Sequence, residues 1–190
     1  METSTADRIL DVTQSLLIAG GYHGFSYADI AAVVGIRKAS IHHHYPTKAD
    51  LVAALVRRYV GQTQAGLSAI RRHVAGPAAQ LDAYLGYWRK CVQDATQPFC
   101  VCAMLASELP SLPASVAAEV RLHFQALVEW LAATLAAGAE QGSLRLSGKA
   151  EEEAQVLMAT VHGALLSARA FGDPELFQAI VTPPAERLRA

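Results

Sequence analysis

The sequence predicts an all-α chain, with an N-terminal three-helix segment containing a helix-turn-helix and a larger C-terminal helical body. Three observations predict it. Apolar residues recur at helical spacing along the 190 residues, and no segment shows the period-two alternation of a half-buried strand. Glycine and proline punctuate that pattern at Gly20-Gly21, Gly76-Pro77, Pro98, Pro110 and Gly142. Between Ser26 and Leu51, two short helical patterns stand on either side of Gly35. At 52% hydrophobic, a chain of this length has ample core for one large or two modest domains.

The elements follow in order. Ile9, Val12, Leu16 and Leu17 fall at i, i+3, i+7 and i+8, a first helix closed by Gly20-Gly21. Ser26 is an N-cap for the second, with Asp29 placed to serve its exposed amides and dipole. Ile30, Ala31 and Val34 give that helix one narrow apolar stripe, and Gly35 supplies a positive-φ turn. Ile36 and Ile41 pin the third helix, which Pro46 stops. Leu51, Leu55 and Val56 begin a long fourth helix running from about Lys48 toward Ala75. A fifth is expected from Pro77 to Ala95, with a break at Gln97-Pro98, and a short sixth from Cys100 to Leu109. Val116, Val120, Phe124, Leu127, Leu131 and Leu135 mark the seventh. The eighth spans Lys149 to Phe171, and a last segment after Pro174 is expected to be interrupted at Pro183-Pro184.

Composition narrows the function classes. The opening Met-Glu-Thr-Ser-Thr-Ala-Asp-Arg is polar, so a signal peptide is not expected. No run reaches the ~18 apolar residues that suggest a membrane span. Cys91, Cys100 and Cys102 are a sparse, odd set, read as reduced thiols in a cytoplasmic protein. Net charge is −1, yet Arg37, Lys38, Lys48, Arg57 and Arg58 face one acid, Asp50, between residues 37 and 58. A basic head on a neutral-to-acidic body suits a protein that touches DNA with one end. No cofactor or metal is expected: His42, His43 and His44 are adjacent, whereas the familiar helical ligand pair is i, i+4.

Two helices crossing through a glycine turn form a helix-turn-helix, which points to DNA binding. The segment resembles the TetR family of bacterial regulators through Ser26, Ile30-Ala31, Gly35-Ile36, His44-Tyr45, Lys48 and Leu51. It departs at Ala39, where the family commonly has glycine, and at His42, where it commonly has a phosphate-contacting tyrosine. The resemblance implies a DNA-binding domain over residues 1–48 and a regulatory domain over 49–190. It also implies a homodimeric repressor released from its operator by a small-molecule inducer. One short recognition helix reads few base pairs, so a dimer on an inverted repeat of double-stranded DNA is expected. Arg37, Lys38, Ser40 and His43 are the base or groove candidates; Ser26, Tyr27, His44 and Lys48 are phosphate-positioning candidates, and His42 stands among the contacts.

In the body, Ala159, Gly163 and Ser167 form a small-residue track on helix eight, with Leu157, Met158, Val161 and Leu165 nearby. The track suits a two-fold interface, or alternatively packing on helix seven. A cavity is expected between helices five to eight. Tyr84, Tyr87, Trp88, Met104, Phe124, Trp130 and His162 are its lining candidates, and Arg169 is a candidate anion partner; each also reads as core. Residues 98–109 resemble the Gly-Cys-Leu…Glu stretch of electrophile- and oxidant-responsive members, matching at Cys100 and Glu108, with Phe99 in place of glycine. A thiol at a helix N-terminus tends toward thiolate, against the alternative of a small buried hydrophobe. A Cys100–Cys102 disulfide inside a regular helix would be strained. Competing classes are a thiol-dependent enzyme using Cys100, His123 or His162 and Glu108, and a helical adaptor. The enzyme reading has no accompanying nucleophile element, phosphate loop or metal motif, and the adaptor reading rests on the capacity of an all-helical body to bind partner helices.

Overall fold

A computed structural model describes residues 4–93 and 99–189. Among these residues the chain forms α1 (Thr5–Gly20), α2 (Tyr27–Val34), α3 (Lys38–His44), α4 (Lys48–His73) and α5 (Pro77–Gln93). There follow α6 (Val101–Ala106), α7 (Ala114–Glu140), α8 (Ala150–Phe171) and α9 (Glu175–Arg187). A 3-10 turn at Leu109–Ser111 follows α6. The described residues contain no strand, only one isolated antiparallel bridge between Leu144 and Arg189. The fold is all-α, with an N-terminal helix-turn-helix. The expected end of the fifth helix at Ala95 and the break at Gln97-Pro98 lie outside the described residues.

By packing, the chain divides into two units at points other than 48/49. The first comprises residues 1–62 and 100–123, the second 63–99 and 124–190. The sequence boundary marked where the helix-turn-helix ends. The first unit also takes in α6, which packs on α1, and the start of α7; Leu105, Val116 and Val120 are buried there, as are Ile9, Leu17, Ile30, Ile41, Leu51 and Leu55 of the same unit. The helices α4 and α7 each belong to both units, passing from one to the other after Gln62 and His123.

In the second unit α5, α8 and α9 pack on one another. Its fully buried side chains include Leu131, Leu135, Leu157 and Phe177. Two expectations are corrected here. The last helix is not interrupted: α9 continues through Pro183 and Pro184 to Arg187. Each proline deprives the helix of one backbone donor. Phe177, Val181, Ala185 and Leu188 nevertheless keep one buried stripe on both sides of the pair, and that burial carries the helix past it. On α8, Leu157, Val161 and Leu165 are buried within the unit rather than offered outward. The exposed side carries Val156, Ala159, Gly163 and Leu166, at i, i+3, i+7 and i+10, and Phe171 at the end.

Candidate nucleic-acid interface

The reader is assembled by local rules. Ser26 has extended backbone and caps α2, its hydroxyl accepting from the Ala28 amide at 3.2 Å. The Asp29 carboxylate accepts from both the Ser26 amide and the Ser26 hydroxyl at 2.7 Å, closing a capping box. Those bonds hold the Asp29 carboxyl below the usual carboxylate range. Gly35 ends α2 at φ 76° with open space around its missing Cβ. The chain then turns into α3, whose one buried residue is Ile41.

Of the base or groove candidates, Arg37, Lys38 and His43 are exposed and Ser40 is half-buried. Arg37, Ser40, His43 and His44 share an open recess of about 610 Å³ with Thr5 of α1. These residues therefore lie together on the outward side of α3. The other candidates do internal work as well. The Tyr27 hydroxyl donates to the Tyr45 carbonyl at 2.8 Å, tying α2 to the end of α3. Burial, reinforced by Asp50 and Tyr22, pushes its phenol up to about 12. The His42 ring lies 4.6 Å from the Tyr27 ring, with Nδ1 3.1 Å from the Pro46 carbonyl. A carbonyl only accepts, so this contact selects the imidazole form protonated at Nδ1.

Lys48 is turned inward. Its ammonium donates to the Phe25 carbonyl and lies 4.1 Å from the centre of the Phe25 ring and 5.1 Å from that of Tyr22. Burial lowers its pKa, opposed by Asp29 and Glu108. The basic head is likewise smaller than the sequence count. Arg58 pairs with Asp11 at 2.8 Å, and Arg57 with Glu119 at 3.2 Å. Arg37 and Lys38 are the cations from that count left exposed without an ion pair among the described residues.

Sequence reasoning missed the long-range ties that orient the reader. The Arg8 guanidinium donates to the Val34 carbonyl at 2.8 Å, at the last turn of α2. Glu108, just beyond α6, accepts from the Tyr22 amide at 2.7 Å. A Cβ on Gly21, at φ 74°, would lie 2.2 Å from the Glu108 Oε1, so only glycine admits this approach. The carboxylate read as a possible orienter for a thiol–histidine pair is engaged with the reader instead.

Cys100 stands outside α6 as its N-cap, on extended backbone, and is fully buried. The Tyr59 hydroxyl donates to its sulfur at 3.3 Å, and the His123 Nε2 lies 3.9 Å away. Cys102 is also buried; its hydrogen bond with Cys100, then burial, raise its pKa well above the ordinary thiol value. The expected thiol at a helix end is present but closed to solvent. Met104 lies in this first unit too, half-buried.

The remaining lining candidates lie in the second unit. Tyr84 and Trp130 have ring centres 5.8 Å apart, Trp88 and His162 6.4 Å, and Phe124 and His162 5.3 Å. Tyr87 is 50% exposed at the edge of this group, 5.3 Å from Trp88. The buried Trp130 indole N–H meets no acceptor among the described residues. Arg169 lies over the Phe99 ring at 5.3 Å. Ala159 and Gly163 are exposed, and Ser167 is half-buried. No described helix is long and apolar enough to cross a membrane, and no described cluster of three or more His, Cys, Asp or Glu is arranged to hold a metal.

Comparison with known proteins bears on this arrangement. The family model described as bacterial regulatory proteins, tetR family, matches residues 9–55. That for a tetracyclin repressor-like C-terminal domain matches residues 77–182. The HTH-type transcriptional repressor NemR of Escherichia coli (strain K12) is 22% identical over 172 residues, covering 88% of this chain and 85% of that protein. The crystal structure of a TetR-family transcriptional regulator from Agrobacterium tumefaciens superposes with a TM-score of 0.96 at 55% identity, covering 97% of both chains. A TetR transcriptional regulator from Legionella pneumophila gives 0.89 at 26% identity, covering 99% of both.

Proposed function

Because this chain belongs to the TetR family of bacterial regulatory proteins, and is a DNA-binding transcriptional regulator, we propose that it works as a homodimeric repressor. It holds an inverted-repeat operator and releases it when a small molecule enters the helical body. The observation that carries the reading is the outward side of α3. There Arg37, Lys38 and His43 are exposed on a short helix fixed from behind by Ile41 and turned by Gly35. Arg37, Lys38, Ser40 and His43 read the groove. Ser26, Tyr27, His42 and His44 set register, partly by holding α2 and α3 together. Lys48 acts by packing under the Tyr22–Phe25 loop rather than as a phosphate ligand.

The exposed side of α8 supports dimerisation. Ala159 and Gly163 allow close helix approach, while Val156, Leu166 and the 77%-exposed Phe171 supply apolar surface around them, with Ser167 at the margin. The ring group of Tyr84, Trp88, Phe124, Trp130 and His162 is the place for an inducer. The Trp130 N–H favours a ligand that brings a hydrogen-bond acceptor. The Cys100 cluster supports a second input, from a thiol-reactive electrophile or oxidant.

A duplex selected from a random pool by the protein tests the assignment. Binding should weaken with salt, and Lys38→Ala should lower the log–log salt slope by about one. Arg37→Ala should relax preference among operator variants. Unchanged affinity, slope and preference in both variants would sink this docking mode.

A further inference from the structure

We propose that Glu108 is the positioning residue that locks the reader to α6, and that α6 passes the state of the buried Cys100 cluster to the α1–α2 turn through it. The proposal rests on the regulatory reading above and names the route of one of its inputs. Cys100 is the N-cap of α6, and Glu108 lies two residues beyond its last turn. The helix between them is six residues, roughly 9 Å of rigid rod.

At one end the sulfur is enclosed. Cys100 is fully buried, with the Tyr59 hydroxyl and the His123 ring against its sulfur. Val101, Cys102 and Leu105 have no exposed surface, so α6 is clamped along its length. In a close-packed interior, atoms added to the Cys100 sulfur must displace the helix or its neighbours. At the other end the geometry is exacting. Glu108 accepts from the Tyr22 amide at 2.7 Å over a glycine that has no Cβ to obstruct it. Ser111 Oγ lies 3.4 Å from His23 Nε2 in the same loop. Lys48 also holds the loop, its ammonium over the rings of Tyr22 and Phe25. The next residue, Ser26, caps α2. Shifting α6 therefore withdraws the carboxylate from the turn that launches the helix-turn-helix.

The test uses the full chain carrying Cys91→Ser and Cys102→Ser, so that Cys100 is the one thiol. Methyl methanethiosulfonate modifies it: the thiolate attacks the sulfenyl sulfur, a disulfide to a methylthio group forms, methanesulfinate leaves with the electron pair, and the thiol proton passes to the medium. Exchange of the Tyr22 amide is followed by NMR, and affinity for the selected duplex by titration. Modification should speed Tyr22 exchange about 10- to 100-fold, the loss expected for one hydrogen bond to a charged group, and should weaken duplex binding. In Glu108→Ala, exchange should already be fast and should respond less than about twofold to modification. Glu108→Gln, which keeps an acceptor, should recover part of both the protection and the response. Failure of Cys100 to react in the native protein, unchanged Tyr22 exchange after reaction, or an equal acceleration in Glu108→Ala would each overturn the proposal. A protein that selects no duplex while its Tyr22 amide responds as described would overturn the DNA-binding reading and leave the linkage standing.

Discussion

Ile41 is the sharpest point at which to perturb the reader. The helix α3 has seven residues, well below the ~12–15 at which an isolated helix becomes even marginal in water. Its position therefore depends on tertiary packing, and Ile41, with no exposed surface, is the one buried side chain it contributes. Ile41→Ala removes three carbons, about 2.4 kcal/mol of transfer free energy at ~0.8 per carbon. A residual cavity adds to this, which places the total at about 2–5 kcal/mol. Ile41→Val removes one carbon and should cost about 0.5–1.5 kcal/mol. Urea unfolding measures both, provided the slope with denaturant stays at its parental value. Under conditions where Ile41→Ala remains folded, its duplex affinity should fall further than that of Ile41→Val, because the outward residues lose their common support. An Ile41→Ala protein within about 1 kcal/mol of the parent, or a Val variant as costly as the Ala variant, would refute the argument that this side chain anchors α3.

Three further outcomes are expected. Gly35→Ala meets only backbone strain, about 1–2 kcal/mol, whereas Gly21→Ala adds a collision with Glu108 and should destabilise more in thermal unfolding; Glu108→Ala should narrow that difference. The folded Asp29 carboxyl is held low, so its contribution is present above the unfolded value of about 3.9 and is lost as pH falls through the lower folded value. Asp29→Asn should therefore flatten the acid side of the stability profile below about pH 4, and an unchanged acid limb would count against the capping box. Finally, Leu166→Glu on the exposed side of α8 should shift sedimentation toward monomer, while Leu122→Glu, exposed on α7, should not; equal behaviour would place the interface elsewhere.

Much of this arrangement was legible because it is local. Ser26, Asp29, Gly35 and Pro46 fix the ends of two short helices by rules spanning three or four residues, and Ile30, Val34 and Ile41 fall inward by periodicity alone. What the sequence hid depends on partners distant in the chain. Lys48 reads as an exposed cation until Tyr22 and Phe25 are folded over it. Arg57 and Arg58 count toward a basic head until Glu119 and Asp11 arrive beside them. Helical spacing also left the choice of face on α8 open. Leu157 and Leu166 are equally apolar, and the packing of α8 on α9 and α5 decides that the first turns in and the second out. The proline pair in α9 misled for a related reason: the local rule counts lost donors, while four buried side chains, two on each side of the pair, decide the outcome.

The interleaving of the two units bears on how such regulators can be recombined. A graft that takes residues 1–62 alone would carry the whole helix-turn-helix, yet leave behind Leu105, Val116 and Val120 from its core and the carboxylate that seats Tyr22. A chimera cut at that seam inherits a reader missing its footing, whatever body is attached. The transferable module is discontinuous, residues 1–62 together with 100–123, and exchanging DNA specificity between relatives means either moving both pieces or changing only the outward residues of α3.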